Sequence, residues 1–526
     1  MAADGGRSLA LHVCSLCKAR KKKCDKQLPR CSYCVKGGYQ CVYEPLSRHR
    51  TTPRQQQRLP VNVTATPSVN ALSPAFTIPS SVSLSAANLY QQVYHLIRAS
   101  GRFVDDVSTG YFHGLHLYIP IISRARFHDN FVTLGATPTI DFSALLLSLH
   151  LVTLAPPTPE RHHQQSSPSH QSNSGHSNGG LNDTSDDQSV YLTTKSLFTQ
   201  VQSSSPASIH LNLIQAGLLI AVYEYTRGQP DQAFMTISLC ARLGYAARIN
   251  QLVGSLSEPD HNTTRPQTRE AANTWWGVVI YERSFQCEAT IPHQPLIAPM
   301  PESDAELPTE AAIFEGREPE RGAGLGLPGS GEQQQQQPAA QLAALEHTNV
   351  GAFGRSAQAA WLLDQVLKGT ETPNLESRLP SLRGLDEKLR TFLSKLVQQA
   401  NGKRGPVCQA IALTIRALYV LHRRILDRLA QLPISGDQSV QMNRQISRAA
   451  LETTTNIVFD VVEAHGSSDS SLCLAPSYPY IVRAAVEYIE VAHGHSENRS
   501  RLEAAGAPAS VYGATGQSFL FLKLYG

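Results

Sequence analysis

The pattern of hydrophobic and polar positions predicts helices over most of the chain after an N-terminal segment. The clearest pattern lies at residues 209–225, which are apolar almost all round and stop at Arg227 and Gly228. A second run opens at Asp231 and continues with apolar residues at helical spacing through Ala241. The two segments predict a buried helical hairpin, with Asp231 as an N-cap and Gly228 as the C-terminal stop.

The same helical periodicity recurs toward the C-terminal end of the chain. It is present at residues 356–368, 408–432, 447–464 and 480–492. No convincing series of alternating polar and apolar residues indicates strands. The pattern therefore predicts a large all-α domain.

Two polar segments interrupt the helical pattern. Residues 156–190 consist mainly of Ser, His, Asn, Gln and Pro, and residues 314–340 are rich in Gly, Pro and Glu and contain a glutamine run at 333–337. Neither segment can bury enough apolar surface to offset the entropy of ordering it, so both are predicted to be disordered. The predicted boundaries are 1–50 for an N-terminal module, 51–87 for a flexible linker, 88–310 for a helical domain with an insertion at 156–190, 311–350 for a low-complexity linker, 351–500 for a C-terminal helical part and 501–526 for a tail.

Charge is distributed unevenly along the chain. Residues 1–60 contain thirteen Lys and Arg against three Asp and Glu, whereas the whole chain has a formal net charge of only +4. Phosphate attraction supplies most non-specific affinity for nucleic acid, so the basic N-terminal segment favours a polyanion as its partner. The longest apolar run, residues 142–156, falls short of the ~20 residues that a membrane span needs. We therefore expect a soluble protein with no membrane partner.

Six of the ten cysteines form an internal repeat near the N-terminus. Each half reads Cys-Ser-x-Cys, six residues and Cys, and the two halves are 17 positions apart. The start of the chain shows no charged-then-apolar leader, which favours a reducing intracellular compartment and metal binding over disulfides. The six residues are Cys14, Cys17, Cys24, Cys31, Cys34 and Cys41.

Thiolates are soft ligands that zinc holds in a tetrahedron. Two zinc ions need eight ligand positions, so six thiolates can hold two ions only if two of them bridge. The symmetry of the repeat nominates Cys14 and Cys31 as the bridges. Cys17 and Cys24 would then complete one site, and the last two cysteines of the repeat would complete the other. The cofactor predicted is two Zn²⁺ per chain.

Two other arrangements of these cysteines stay open at this point. One is a disulfide scaffold, which the absence of a leader and the size of the chain disfavour. The other is a single four-ligand zinc site with two spare cysteines, which leaves the duplicated spacing unexplained.

Residues 14–41 resemble the fungal zinc binuclear cluster DNA-binding domain at all six cysteines. The resemblance implies a small zinc-stabilised module of two short helices, the first of which lies in the major groove and recognises a CGG-type triplet. The matching positions nominate Lys21 for the guanines, with Arg20 and Lys18 as nearby phosphate or base contacts. The candidate DNA-binding residues are Lys18, Arg20, Lys21, Lys22 and Lys23.

Arginine and lysine suit the O6 and N7 acceptors of guanine in the major groove. The first half of the repeat carries five of these cations, whereas the second half carries only Lys36. The first helix is therefore predicted to be the reader. The alternative reading is a solvated basic face and a nuclear import signal at residues 18–23, and the two readings are compatible.

Three stretches between residues 100 and 310 resemble the fungal-specific transcription factor domain that accompanies this cluster. Residues 111–127 open with Tyr-Phe and contain Ile-Pro-Ile-Ile. Residues 228–245 end with Ala-Arg-Leu-Gly-Tyr, and residues 273–283 contain Asn-Thr-Trp-Trp-Gly and Tyr-Glu-Arg. Trp275 and Trp276 are predicted to pack in the core, and Arg283 to form a buried salt bridge.

The resemblance implies a nuclear, sequence-specific regulator of RNA polymerase II transcription, more often an activator, that controls metabolic or secondary-metabolite genes. Its implied partners are double-stranded DNA and the transcription machinery or co-regulators, and a homodimer stays open. The alternative function is a repressor or co-regulator whose cluster serves mainly protein contacts. The only glycine-rich string, at residues 324–329, follows no strand and contains Pro328, so no enzymatic activity is predicted.

Overall fold

The computed structural model separates the chain into two compact units, Met1–Ala75 and Phe76–Gly526. It describes residues 13–14, 17, 22–37, 41, 85–132, 138–154, 183–204, 210–253, 265–291, 294–310, 340–371, 375–401, 405–431, 438–466 and 475–493. The first unit contains one described short helix, α1, at Ser32–Lys36. The glutamine run at 333–337 and the predicted tail lie outside the described residues.

The second unit is predominantly helical in its described part. Two 3-10 turns, Leu115–Leu117 and Ile249–Leu252, accompany its α-helices. Residues 294–310 and 340–351 are not helical, and an isolated antiparallel bridge joins Glu306 to Gln341. The α-helices are α2 (Ala86–Ala99), α3 (Val104–His113), α4 (Arg124–Val132), α5 (Ile140–Val152), α6 (Asp183–Ser204), α7 (Leu211–Thr226), α8 (Pro230–Ala246), α9 (Arg265–Gln286), α10 (Ala352–Glu371), α11 (Leu375–Ala400), α12 (Cys408–Ala430), α13 (Gln438–Gly466) and α14 (Tyr478–His493). The predicted all-α class is confirmed.

The predicted hairpin is formed by α7 and α8, but its N-cap differs from the prediction. Gly228 follows α7 in the left-handed region with φ of 76°, which a glycine adopts without steric cost. The second helix begins at Pro230, so Gln229 is its N-cap and Asp231 is not. Proline suits the first helical position because the N–H that it lacks would have no intrahelical partner there. Asp231 accepts hydrogen bonds from the Thr290 backbone and hydroxyl instead, both at 2.7 Å.

Two helices depart from the predicted element boundaries. α6 begins at Asp183, inside the segment 156–190 that was predicted to be a disordered insertion. Its buried positions include Tyr191, Thr194 and Leu197, which share one face at helical spacing. α11 spans 26 residues that carried no predicted helix, and it contains Pro380.

The core of the second unit is formed by helices that bury most of their surface. α10 packs on α12, α7 packs on α8 and α5, and α9 contacts both α8 and α10. The adjacent Trp275 and Trp276 on α9 are 2% and 1% exposed, as predicted for core residues. None of the helices in the described part of the chain is both long and apolar enough to cross a bilayer.

A strap at residues 294–310 crosses the helices and is fixed by buried acidic side chains. Glu282 accepts the backbone N–H groups of Ile297 and Ala298, each at 2.9 Å. Glu310 accepts the N–H groups of Phe353 at 3.2 Å and Gly354 at 2.8 Å, which lie in the first turn of α10. Burial raises the pKa of both Glu282 and Glu310. The hydrogen bonds from the backbone favour the charged forms and lower each pKa, but burial has the larger effect. The strap therefore connects α9 to the start of α10.

Candidate metal centre and DNA interface

The buried cluster in the described part of the first unit consists of cysteine thiols. Four of them are at most 1% exposed: Cys14, Cys17, Cys31 and Cys34. Cys24, Tyr33 and Cys41 pack against these four and are partly buried. Four small side chains bury far less apolar surface than a domain core, so this unit needs another source of stability.

The six sulfurs fall into two groups of four that share two members. Within each group the sulfurs lie within 4.8 Å of one another. The shared residues are Cys14 and Cys31, whose Sγ atoms are 3.8 Å apart. The first group is Cys14, Cys17, Cys24 and Cys31, and the second is Cys14, Cys31, Cys34 and Cys41.

This arrangement fits two zinc ions. Each group offers the four thiolates that a structural zinc tetrahedron requires, and the sharing of two sulfurs accounts for all eight ligand positions. The 3.7 Å separation of Cys17 Sγ and Cys31 Sγ is far longer than the ~2.05 Å of a disulfide bond, and all six cysteines are free thiols. The cluster would hold two zinc ions, and bound zinc would supply structural cross-links rather than a reactive site.

The thiol environments show what metal binding must overcome. Burial raises the pKa of Cys34 to about 12, and it also raises that of Cys17. Burial opposes ionisation of Cys24 too, but hydrogen bonds from the backbone of Cys14 and Lys26 lower its pKa to about 7. Because zinc binds thiolates, loading the cluster releases protons and becomes weaker in acid.

Backbone contacts hold the two halves of the repeat in place. The N–H of Cys31 donates to Cys41 Sγ at 3.4 Å, which closes the second half on itself. Asp25 accepts the N–H of Ser32 at 3.0 Å, and this bond joins the end of the first half to the start of α1. The hydrogen bonds from Ser32 lower the pKa of Asp25. The sequence reasoning missed this contact, because no local pattern pairs residues seven positions apart.

The candidate DNA-binding residues are only partly described. Lys22 and Lys23 follow the first Cys-x-x-Cys pair, and both are exposed. The rest of the set lies outside the described residues. Of the predicted first helix, Cys17 is described, and it is helical. The residues outside the description are Lys18, Arg20 and Lys21. The second half presents Lys36, which is exposed at the end of α1.

Arg283, for which a buried salt bridge was predicted, lies in the core of the second unit. Arg283 is 1% exposed and donates from Nε to Asp364 Oδ1 at 2.9 Å. Its remaining guanidinium nitrogens donate to the carbonyls of Val279 and Ala298. The prediction of a buried salt bridge is confirmed.

Two protein families match the chain over separate segments. Residues 12–50 match the fungal Zn(2)-Cys(6) binuclear cluster domain. Residues 109–368 match the fungal specific transcription factor domain. The first match covers the resemblance at residues 14–41, and the second begins within the resemblance at residues 100–310 and extends beyond it to residue 368.

Proteins similar to this chain include fungal transcription factors. A depudecin biosynthesis cluster-specific transcription activator of Fusarium langsethiae is 44% identical over 55 residues, 10% of this chain and 9% of that protein. A transcription factor of Botryotinia fuckeliana is 26% identical over 197 residues, 38% of this chain and 84% of that protein. An oleate-activated transcription factor of Saccharomyces cerevisiae is 47% identical over 38 residues, 7% of this chain and 4% of that protein.

The match to the activator thus spans about a tenth of that protein's length. No solved structure is significantly similar to the chain. The family models and the relatives agree on one class of protein, which consists of transcription factors and not of enzymes. The two family domains, together with the two four-thiol groups that share Cys14 and Cys31, show that this chain belongs to the fungal zinc binuclear cluster transcription factors that carry a fungal-specific transcription factor domain.

Proposed function

We propose that this protein is a nuclear, sequence-specific regulator of RNA polymerase II transcription that reads DNA through its zinc cluster. The single observation that carries the proposal is the pair of four-thiol groups that share Cys14 and Cys31. Such a cluster can hold a short basic segment rigidly without a hydrophobic core, and rigid presentation is what base recognition requires. In this proposal all six clustered cysteines are zinc ligands.

The basic segment after the first Cys-x-x-Cys pair supplies the proposed reader of the base edges. Lys21 contacts the guanines of a CGG-type half-site in the major groove, where O6 and N7 accept hydrogen bonds. Lys22 and Lys23, which are exposed, bind phosphates together with Lys18 and Arg20. Phosphate contacts set affinity and register, whereas contacts to bases set sequence preference, so the two kinds of lysine can be separated by experiment.

The test is a salt-titrated binding measurement with the full chain on a CGG duplex and on a scrambled duplex. Lys21→Ala should lose about 1–3 kcal/mol on CGG and little on scrambled DNA. Lys23→Ala should weaken binding to both duplexes alike and reduce the salt dependence by about one phosphate contact. Lys368→Ala, an exposed lysine of the second unit, is the matched control and should bind as the parent does.

Equal losses on both duplexes for both variants would contradict the assignment of Lys21 as the reader. Zinc content must be measured on the same samples, because a variant that loses metal reports on folding and not on recognition. Equal affinity of the parent chain for the two duplexes at every salt concentration would favour the alternative, a co-regulator whose cluster serves protein contacts.

The direction of regulation and the target genes are also part of the proposal. We infer activation, because a relative that is 44% identical over 55 residues is named a transcription activator. That relative is specific for a biosynthesis cluster, which supports metabolic or secondary-metabolite genes as targets. A reporter gene placed behind the selected half-sites should rise in expression with this protein and fall if the protein is a repressor. Co-regulators and a homodimer formed through the second unit complete the proposed partners.

A further inference from the structure

The Asp25 carboxylate makes an unusual set of contacts for an exposed side chain. Its Oδ1 accepts the backbone N–H of Ser32 at 3.0 Å, and Oδ2 accepts the same N–H at 3.2 Å. Oδ2 also accepts the hydroxyl of Ser32. Both carboxylate oxygens are thus engaged by a single residue seven positions along the chain.

The position of this contact links the two halves of the repeat. Asp25 directly follows Cys24, which belongs only to the first thiol group. Ser32 is the first residue of α1 and directly follows Cys31, which both groups share. The N-cap residue of α1 is Cys31 itself, and its side chain makes no capping hydrogen bond. Asp25 therefore supplies, from outside the helix, a side-chain acceptor for the first N–H of α1, which has no intrahelical partner.

We propose that Asp25 is a positioning residue for the thiol cluster. Its carboxylate fixes Cys24 against the start of α1, so that the two four-thiol groups keep the geometry that two zinc ions need. Asp25 contacts neither metal nor DNA in this role. The inference rests on zinc binding by the cluster and not on the assignment of Lys21 as a base reader.

The physical argument is preorganisation of the metal ligands. A ligand set that is already in place does not lose conformational entropy when the metal binds, and partners just outside the ligand shell typically change metal affinity by about 10–100-fold. Hydrogen bonds to an ionised carboxylate are stronger than those between neutral groups, which suits a contact that water can reach. The chain between Cys24 and Cys31 carries no thiol, so this contact fixes a loop that no ligand holds.

Substitutions at the two partners separate position from charge. Asp25→Ala removes both acceptors, whereas Asp25→Asn removes the charge but keeps an acceptor for the N–H and a donor for the hydroxyl oxygen. Ser32→Ala removes the hydroxyl and leaves the backbone N–H in place, and Ser32→Thr keeps the hydroxyl. The matched control is Lys36→Ala, an exposed charge on the same helix.

The experiment measures zinc retention by the full chain at fixed pH against a chromophoric chelator, with elemental analysis before and after. Asp25→Ala should lose zinc at a chelator concentration about 10–100-fold lower than the parent requires. Ser32→Thr and Lys36→Ala should retain zinc as the parent does, and Asp25→Asn should fall between the parent and Asp25→Ala, because it keeps an acceptor for the N–H but loses the charge. The double variant Asp25→Ala/Ser32→Ala should lose no more than Asp25→Ala alone, because one contact is removed in both.

A spectroscopic readout distinguishes positioning from general destabilisation. Cobalt-substituted parent protein should show the visible bands of tetrahedral thiolate ligation, and Asp25→Ala should show them shifted or weakened at equal cobalt content. Zinc retention by Asp25→Ala equal to that of the parent would overturn the proposal. Equal losses in Asp25→Ala and Asp25→Asn would overturn it too, since charge alone would then account for the effect. Reduced zinc retention by Asp25→Ala, together with equal affinity of the parent for CGG and scrambled DNA, would support the positioning role and contradict only the DNA-reading assignment.

Discussion

Replacing Arg283 by methionine tests how the core of the second unit tolerates its buried charges. Arg283 bonds to Asp364 at 2.9 Å, and these side chains are 1% and 4% exposed. It also donates to the carbonyls of Val279 at 3.0 Å and Ala298 at 2.9 Å. Methionine fills much of the same volume but donates to none of these groups. The substitution therefore leaves one buried carboxylate and two carbonyls without this donor.

The expected loss follows from the groups left behind. Breaking a buried ion pair by removing one partner costs about 3–5 kcal/mol. The lower end applies here, because Lys368 Nζ stays 2.7 Å from Asp364 and its side chain is 69% exposed, so water and this lysine still stabilise the carboxylate. We expect Arg283→Met to lower the free energy of unfolding by about 3 kcal/mol. Arg283→Met/Asp364→Leu should lower it by less, about 2 kcal/mol, because the Asp364 carboxylate is removed with its partner while the buried Glu282 still loses the cation 3.9 Å away.

The assay is urea unfolding of the full chain followed by tryptophan fluorescence, which comes from Trp275 and Trp276 on α9 and from Trp361 on α10. Lys368→Met is the matched control, since it removes the exposed partner of Asp364 while Arg283 still pairs with that carboxylate, and the loss should stay below about 1 kcal/mol. Zinc content should be the same in all variants, because the thiol cluster belongs to the other unit. A double variant that is destabilised by the sum of its two single substitutions would refute the reasoning.

Three further predictions concern packing, pH and metal. Gly217→Ala should cost about 1–3 kcal/mol, because its Cβ would lie 2.5 Å from the Cys240 sulfur, and adding Cys240→Ala should recover part of the loss in a thermal unfolding measurement. Burial lowers the pKa of His116 to about 3 and of His150 to about 4. Both stay neutral when folded while the unfolded chain takes up protons below about pH 6.5, so stability is full above that pH and falls on acidification by about 1.4 kcal/mol per pH unit for each histidine. His150→Leu should remove the contribution of one histidine, about 1.4 kcal/mol per pH unit, from the dependence of stability on pH. An unchanged dependence would contradict the conclusion that His150 stays neutral in the folded protein. Chelation of zinc should abolish DNA binding but leave the helical signal of the second unit, whereas a loss of that signal would show that the units do not fold separately.

The thiol groups could be predicted from the sequence because ligand spacing encodes coordination directly. A Cys-x-x-Cys pair places two thiolates on one turn, and the duplication of the motif implies which two sulfurs are shared. The structure groups the same residues around Cys14 and Cys31. The hairpin of α7 and α8 could be predicted for a similar reason, since Gly228 marks a backbone conformation that a glycine adopts easily.

Other features depend on contacts that no local pattern reveals. No helix was predicted for α11 although Leu382, Leu385 and Leu389 lie on one buried face, and the helix contains Pro380 and Gly384, two residue types that disfavour a helix interior. Packing against α12 outweighs these local preferences, since most helical stability in proteins comes from burial of an amphipathic face. The spacing of these leucines matches the 3.6-residue period of an amphipathic helix despite the proline.

The start of α6 illustrates the same limit for polar residues. Its first turns are rich in Asp, Ser and Thr, so the sequence favours disorder there. The structure shows Tyr191 donating to Glu224 Oε1 at 2.8 Å, and Lys195 bonded to the same carboxylate. Glu224 lies on α7, 33 residues from Tyr191, and is fully buried. Only a partner distant in sequence explains why this polar segment becomes a helix.

The two units thus obtain their stability from different sources, and this difference decides what each can do. The cluster in the first unit buries thiols, so most of its folding free energy must come from metal binding, which depends on zinc supply and pH. The second unit buries a continuous apolar core that includes Trp275 and Trp276, and such burial stabilises a domain by itself. We therefore expect zinc limitation to unfold the first unit while the second unit stays folded. Under the proposed function, control through zinc supply and control through the helical unit would then be separable for this physical reason.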